Sequence, residues 1–127
     1  MRGEPPPTTL RSNMSDCLFC KIRDGQIPAK SVYSDDHVFA IRDINPQAPT
    51  HVLVIPKKHV ATLNDLDPAD EPLVGHLFTA ARTIAAAEGH AETGWRALFN
   101  VNRGAGQTVF HIHLHVLGGR AFSWPPG

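Results

Sequence analysis

The chain has 127 residues, 42% of them hydrophobic, and its 12 basic and 12 acidic side chains balance to zero net charge. That is the size of one domain with one core, and it carries no cationic footprint for long DNA or RNA. No apolar run reaches the roughly 18–20 residues of a membrane span, and the N-terminus lacks the apolar core of a signal peptide, so a cytoplasmic protein is expected.

Residues 1–14, with Pro5-Pro6-Pro7 and little apolar content, read as a disordered tail, and Met14 offers an alternative start. The domain is placed at residues 15–127. Leu18, Phe19 and Ile22 have helical spacing, so Cys17 to Arg23 is a short helix, with Asp16 as N-cap and Gly25 as its end. Ser31–Ser34 and His37–Ile41 read as strands joined at Asp35-Asp36. The Asn45-Pro46-Gln47-Ala48-Pro49 stretch is a loop, and His51–Ile55 is a third strand stopped by Pro56. Apolar residues at Leu73, Val74, Leu77, Phe78, Ala81, Ile84 and Ala85 mark one long helix over Asp70–Glu88, stopped by Gly89. Arg96–Val101 and Phe110–Leu117 complete five strands. A run of strands with one inserted helix predicts an α+β domain: a five-stranded antiparallel sheet with one long and one short helix.

The last strand carries the chemistry. In His111-Ile112-His113-Leu114-His115, imidazoles alternate with apolar residues. Strand side chains alternate faces, so Ile112, Leu114 and Val116 face a core while the histidines line the other side, roughly 6.8 Å apart per two-residue step. Imidazoles titrate near neutrality and supply nucleophiles, acids or metal ligands. The plain alternative is a histidine-rich surface strand. The small residues on either side, Gly104-Ala105-Gly106 before and Gly118-Gly119 after, favour close approach of a ligand. Three such rings span roughly 13 Å, too wide to meet at one catalytic metal without bending the strand.

His111-Ile112-His113-Leu114-His115-Val116-Leu117 resembles the signature of the histidine triad (HIT) nucleotide-binding proteins. Asp43 to His51, Val54-Ile55-Pro56-Lys57-Lys58-His59, Gly118-Gly119-Arg120 and the Trp124-Pro125-Pro126-Gly127 end add to the likeness. The set is most similar to the nucleoside phosphoramidate hydrolase branch. The resemblance implies a homodimer that hydrolyses purine nucleoside phosphoramidates and related nucleotide conjugates, an adenosine 5′-monophosphoramidase type of activity. It would act on P–N bonds, with P–O–P bonds as a further target, through a covalent nucleotidyl-histidine intermediate. A neutral imidazole nitrogen can attack phosphorus and be displaced by water, which splits one hard substitution into two. Open alternatives are a dinucleoside polyphosphate hydrolase or nucleotidyl transferase, and a nucleotide-binding interaction module.

By the same resemblance, His113 is the nucleophile, His115 contacts the phosphate, and His111 and His51 complete the catalytic set. Asn100, Gln107 and Thr108 are implied to contact the phosphate. Asp43 and Ile44 are placed at the ribose, with Leu18, Phe19, Ile22 and Ile27 as apolar walls for the base. Trp124 belongs to a tail that reaches a partner subunit's site. The family usually has glycine where this chain has Asn102, which leaves that loop's geometry and the leaving-group preference open.

Cys17-Leu18-Phe19-Cys20 is a lone Cys-x-x-Cys. Two thiolates suit zinc only if two histidines complete a tetrahedron. Some relatives hold structural zinc on positions matching Cys17, Cys20, His59 and His111, which makes a structural zinc an expectation here. The alternative is two small buried thiols and a solvated His59. No cofactor is needed for the chemistry itself.

Overall fold

The computed structural model describes residues 16–127, so the expected tail at residues 1–14 and the start at Met14 lie outside the described residues. The elements run α1 (Leu18–Arg23), β1 (Ser31–Ser34), β2 (Val38–Arg42), β3 (Thr50–Pro56), α2 (Glu71–Ala87), β4 (Trp95–Leu98) and β5 (Leu114–Gly118). Short 3-10 turns precede α2 and β5. All strand pairs are antiparallel, in the order β1-β2-β3-β5-β4. The α+β reading therefore holds in its elements and their types. Among the described residues, no helix is long and apolar enough to cross a membrane.

The sheet has two covered faces. Val38, Ala40, Val52, Val54, Leu114 and Val116 pack against Leu77, Ala80, Ala81, Ile84 and Ala85 of α2. These helix residues fall at i, i+3, i+4, i+7 and i+8, one stripe, and its alanines let the helix sit close to the sheet. Phe78, one step off the stripe, is instead 44% exposed and meets Phe99 edge-to-face with ring centroids 6.0 Å apart. On the opposite face Phe39, Ile41, Leu53 and Ile55 pack with Cys17, Phe19 and Cys20 of the α1 segment. The period-two alternation of β2 and β3 thus feeds two cores at once. His111 and His113, just before β5, meet Phe19 of α1.

Several boundaries differ from expectation. The cap of α1 is Cys17, whose sulfur accepts from Cys20 N at 3.4 Å, and not Asp16. Strand β4 ends at Leu98 and β5 starts only at Leu114, so His111 and His113 precede the ladder. The reason is local. Ile112 N–H bonds Val60 O at 2.8 Å, and the His111 ring bonds Pro56 O at 2.7 Å, drawing this stretch onto the chain that follows β3. A strand pattern survives in the side chains, but the backbone bonds go elsewhere.

At the far end of β5, Gly118 lies under the His90 ring, and a Cβ there would sit 2.5 Å from the ring carbon Cδ2. His90 Nε2 is bound to Thr50 Oγ1 at 2.8 Å, so the ring cannot swing aside without losing that partner. Gly118→Ala should lower stability by about 1–3 kcal/mol. Gly104→Ala, where a Cβ meets open space, should change it little. Urea unfolding of the two variants beside the parent makes the comparison.

Candidate active site

Four imidazoles and one carboxylate converge on the α1 face, and their partners fix where each proton sits. His113 Nδ1 lies 2.8 Å from the backbone oxygen of His111. A carbonyl only accepts, so Nδ1 carries the proton and Nε2 is bare. Gln47 N–H donates to His51 Nδ1 at 3.0 Å, so a neutral His51 must carry its proton on Nε2. That N–H points to His115 Nδ1 at 2.9 Å, with Asp43 Oδ2 at 3.3 Å. His115 is then protonated on Nε2. Two neighbouring rings, 5.0 Å apart, thus have opposite polarity: a lone pair on His113 Nε2 and a donor on His115 Nε2.

Burial holds the rings neutral. Desolvation lowers the pKa of His113 and His51, with Asp43 pulling the latter partly back, and pushes His115 down to about 4. Phe19 meets the His113 ring edge-to-face at 5.0 Å and supplies much of the apolar wall that does this.

A second cluster lies beside the first. The donor atoms of Cys17, Cys20, His59 and His111 all fall within 4.8 Å of one another. His111 Nδ1 is 3.3 Å from Cys17 Sγ, 3.6 Å from Cys20 Sγ and 3.2 Å from His59 Nδ1; Cys20 Sγ is 3.4 Å from His59 Nδ1. A tetrahedral zinc with two sulfur and two nitrogen ligands has ligand–ligand edges of roughly 3.3–3.8 Å. His111 donates through Nε2 to Pro56 O, so its Nδ1 lone pair is the group facing the sulfurs. The residues fit such a metal. Among the described residues, the buried Nε2 of His59 has no hydrogen-bond partner. Burial also raises the Cys20 thiol to about 11, so without a cation that sulfur stays protonated. Asp43, His51 and His115 also gather three donor atoms. There the logic reverses, because Gln47 N–H takes the His51 Nδ1 lone pair and leaves Nε2 protonated, unable to ligate.

A family model described as the HIT domain matches residues 24–122. The chain belongs to the HIT domain family. A purine nucleoside phosphoramidase of Escherichia coli K12 is 50% identical to it over 105 residues, 83% of this chain and 88% of that protein. An uncharacterized HIT-like protein of Synechocystis is 51% identical over 112 residues, 88% of this chain and 97% of its own length. A crystal structure of a HIT family hydrolase from Legionella pneumophila superposes with a TM-score of 0.87 at 56% identity, covering 88% of this chain and 100% of that one.

In this HIT domain the expected site residues separate into those free to meet a ligand and those already committed. The His111 ring is 0% exposed, with Nε2 on Pro56 O and Nδ1 facing the sulfurs, and its backbone oxygen meets His113 Nδ1. The Gln107 amide donates to Ala61 O and Val109 O while its Oε1 accepts from Asn102 N, so in this structure it shapes the loop. Thr108 is exposed and Asn100 half-buried. Leu18 and Ile44 are exposed, Ile22 and Ile27 half-buried, and Phe19 is core. Trp124 is 82% exposed and makes neither hydrogen bond nor ring contact with the histidines. Asn102 takes φ 68, ψ 177, a backbone region held almost entirely by glycine, so the glycine-type turn is kept at the cost of strain.

Sequence reasoning missed the backbone groups: Gln47 N–H, Pro56 O and His111 O carry no side-chain signal. Neutral, buried imidazoles also have a thermodynamic signature. A histidine whose folded pKa lies below its unfolded value of 6.5 binds fewer protons folded than unfolded as pH drops. Its contribution is therefore intact above about 6.5 and drains as pH falls toward 4. In that window Asp35, Asp70 and Glu88, all held below their usual range, stay ionised. Unfolding stability should fall between pH 7 and pH 5, and His115→Asn should flatten that slope.

Proposed function

We propose that this HIT protein hydrolyses nucleotide conjugates, with purine nucleoside phosphoramidates as the substrate class. The observation that carries the reading is the bare Nε2 of His113, oriented by the bond from Nδ1 to the His111 oxygen and set beside the Nε2 donor of His115. The 50% identity to a purine nucleoside phosphoramidase supports the substrate class.

In this reading His113 Nε2 attacks the phosphorus in line with the leaving nitrogen. The P–N bond of the substrate breaks, and the nitrogen departs as an amine after taking a proton from water, leaving a hydroxide that the proton released by the attacking water in the second step neutralises. His115 Nε2–H holds a phosphoryl oxygen, helped by Thr108 and Asn100. The positive charge of the nucleotidyl-His113 is spread over the ring, whose Nδ1–H stays on the carbonyl. Water then attacks phosphorus, the bond to His113 breaks, and nucleoside monophosphate leaves with the ring neutral again. Asp43 has lone pairs left beyond its bonds to Asn45 N and the His51 N–H, and accepts from the ribose hydroxyls. Ile44, Leu18, Ile22 and Ile27 offer the base apolar surface. The working unit in this proposal is a homodimer in which Trp124 is contributed to the partner's site, consistent with its exposure here.

Zinc on Cys17, Cys20, His59 and His111 is the second part of the proposal. Filled by four protein ligands, the ion would brace the α1 segment, while the reaction itself needs no metal.

Two tests follow. His113→Ala should lose at least about a thousandfold in kcat on an adenosine phosphoramidate while still binding AMP. The parent's turnover should survive EDTA, and a panel with dinucleoside polyphosphates ranks the substrates; parental turnover in His113→Ala would end the nucleophile assignment. For zinc, elemental analysis should return about one ion per chain. Cys17→Ser should lose the ion and melt several degrees lower, a shift set by the lost binding energy.

A further inference from the structure

Within the loop between β2 and β3, residues 43–49, Asn45 N–H donates to Asp43 Oδ1 at 2.8 Å and Gln47 Nε2 to Asn45 O at 3.1 Å. Beyond the bond from Asp43 N to His51 O, the loop relies on side chains for its grip. Both backbone groups of Gln47 are used: its N–H donates to His51 Nδ1 at 3.0 Å, and its carbonyl accepts from Arg120 Nε at 2.8 Å. Arg120 is steadied in turn. Its guanidinium lies 4.4 Å from the centre of the Phe122 ring and donates to Ala121 O at 2.9 Å. Arg96 reaches the same ring at 5.1 Å and bonds Ser123 O at 3.1 Å, tying this turn to β4. Beside them Gly119 takes φ +95, and a Cβ there would sit 2.9 Å from Pro49 Cβ, so the two backbones press together.

We propose that the turn after β5 is a positioning clasp: Gly119, Arg120 and Phe122 hold the β2–β3 loop so that Gln47 N–H stays on His51 Nδ1, which fixes the tautomers of His51 and His115. The logic is one of proton placement. While Gln47 N–H occupies His51 Nδ1, His51 must donate through Nε2, His115 must accept at Nδ1, and His115 Nε2 remains a donor. If Gln47 drifts, His51 is free to protonate Nδ1 instead. His115 then donates through Nδ1 and its Nε2 becomes a bare acceptor, repelling the phosphoryl oxygen it should hold. Asp43 Oδ2, 3.3 Å from His51 Nε2, opposes that exchange, so loss of the clasp weakens the preference without inverting it.

Arg120 touches neither a reacting atom nor a catalytic ring, and acts through Gln47. Its consequence for turnover rests on the hydrolase reading above; its effect on ring protons does not. The experiment is 15N NMR of histidine-labelled protein, beside steady-state kinetics on an adenosine phosphoramidate, for the parent, Arg120→Met, Arg120→Lys and Gly119→Ala. In the parent, His51 and His115 should both show protonated Nε2 and bare Nδ1. In Arg120→Met and in Gly119→Ala their ring nitrogens should move toward averaged values, with kcat down about tenfold and KM within about twofold. Arg120→Lys, which keeps a donor for Gln47 O, should recover part of both effects. Parental ring shifts in a folded Arg120→Met protein would overturn the clasp. Absence of phosphoramidate turnover in the parent would instead remove the hydrolase reading, and the NMR comparison would still decide the clasp.

Discussion

The hydrogen bond from His111 Nε2 to the Pro56 carbonyl is the contact around which the site is arranged. The ring is wholly buried, so leaving either nitrogen unpaired would cost about 1–3 kcal/mol. With Nε2 donating, Nδ1 is obliged to present a lone pair to Cys17, Cys20 and His59. The same residue's main chain cannot follow the ladder of β5, and its carbonyl turns to receive His113 Nδ1–H. One residue therefore joins the sulfur cluster, the end of β3 and the His113 ring, with its side chain serving the first two and its backbone the third.

Four of the five histidines in the two clusters are the same side chain in different employment, and what separates them is which nitrogen is occupied. His113 and His111 are both held by carbonyls, one at Nδ1 and one at Nε2, and so expose opposite lone pairs. His51 is held by an amide, which forces the reverse proton placement and passes it to His115. Backbone groups decide in every case, directly or one ring removed. Burial then removes the charged form from contention, so these distinctions persist at neutral pH and are not averaged away by protonation.

Much of this was readable beforehand. The alternation of β2, β3 and β5 and the 3.6-residue stripe of α2 are burial patterns, and burial is what hydrophobic spacing reports. The four members of the sulfur cluster were named from residue type and likeness, and the fold brings them together from the α1 segment, the segment after β3 and the stretch before β5. The errors have a common origin. The N-cap of α1, the early end of β4 and the late start of β5 all depend on which partner a backbone N–H or C=O finds, and a pattern of side chains carries no record of that. The bonds of Gln107 are hidden for the same reason: its residue type does not reveal that Ala61 O, Val109 O and Asn102 N take up its amide.

By itself the amino-acid order determined a two-faced antiparallel sheet backed by one long helix, and a file of imidazoles on the side away from that helix. These follow from periodicity, which is local. Only the tertiary structure decided that Arg120 reaches back to the loop at Gln47, that His51 meets His115, and that His111 is spent on structure. Each of those joins residues dozens of positions apart through a single hydrogen bond, and the direction of such a bond is set by the donor or acceptor it happens to meet across the fold.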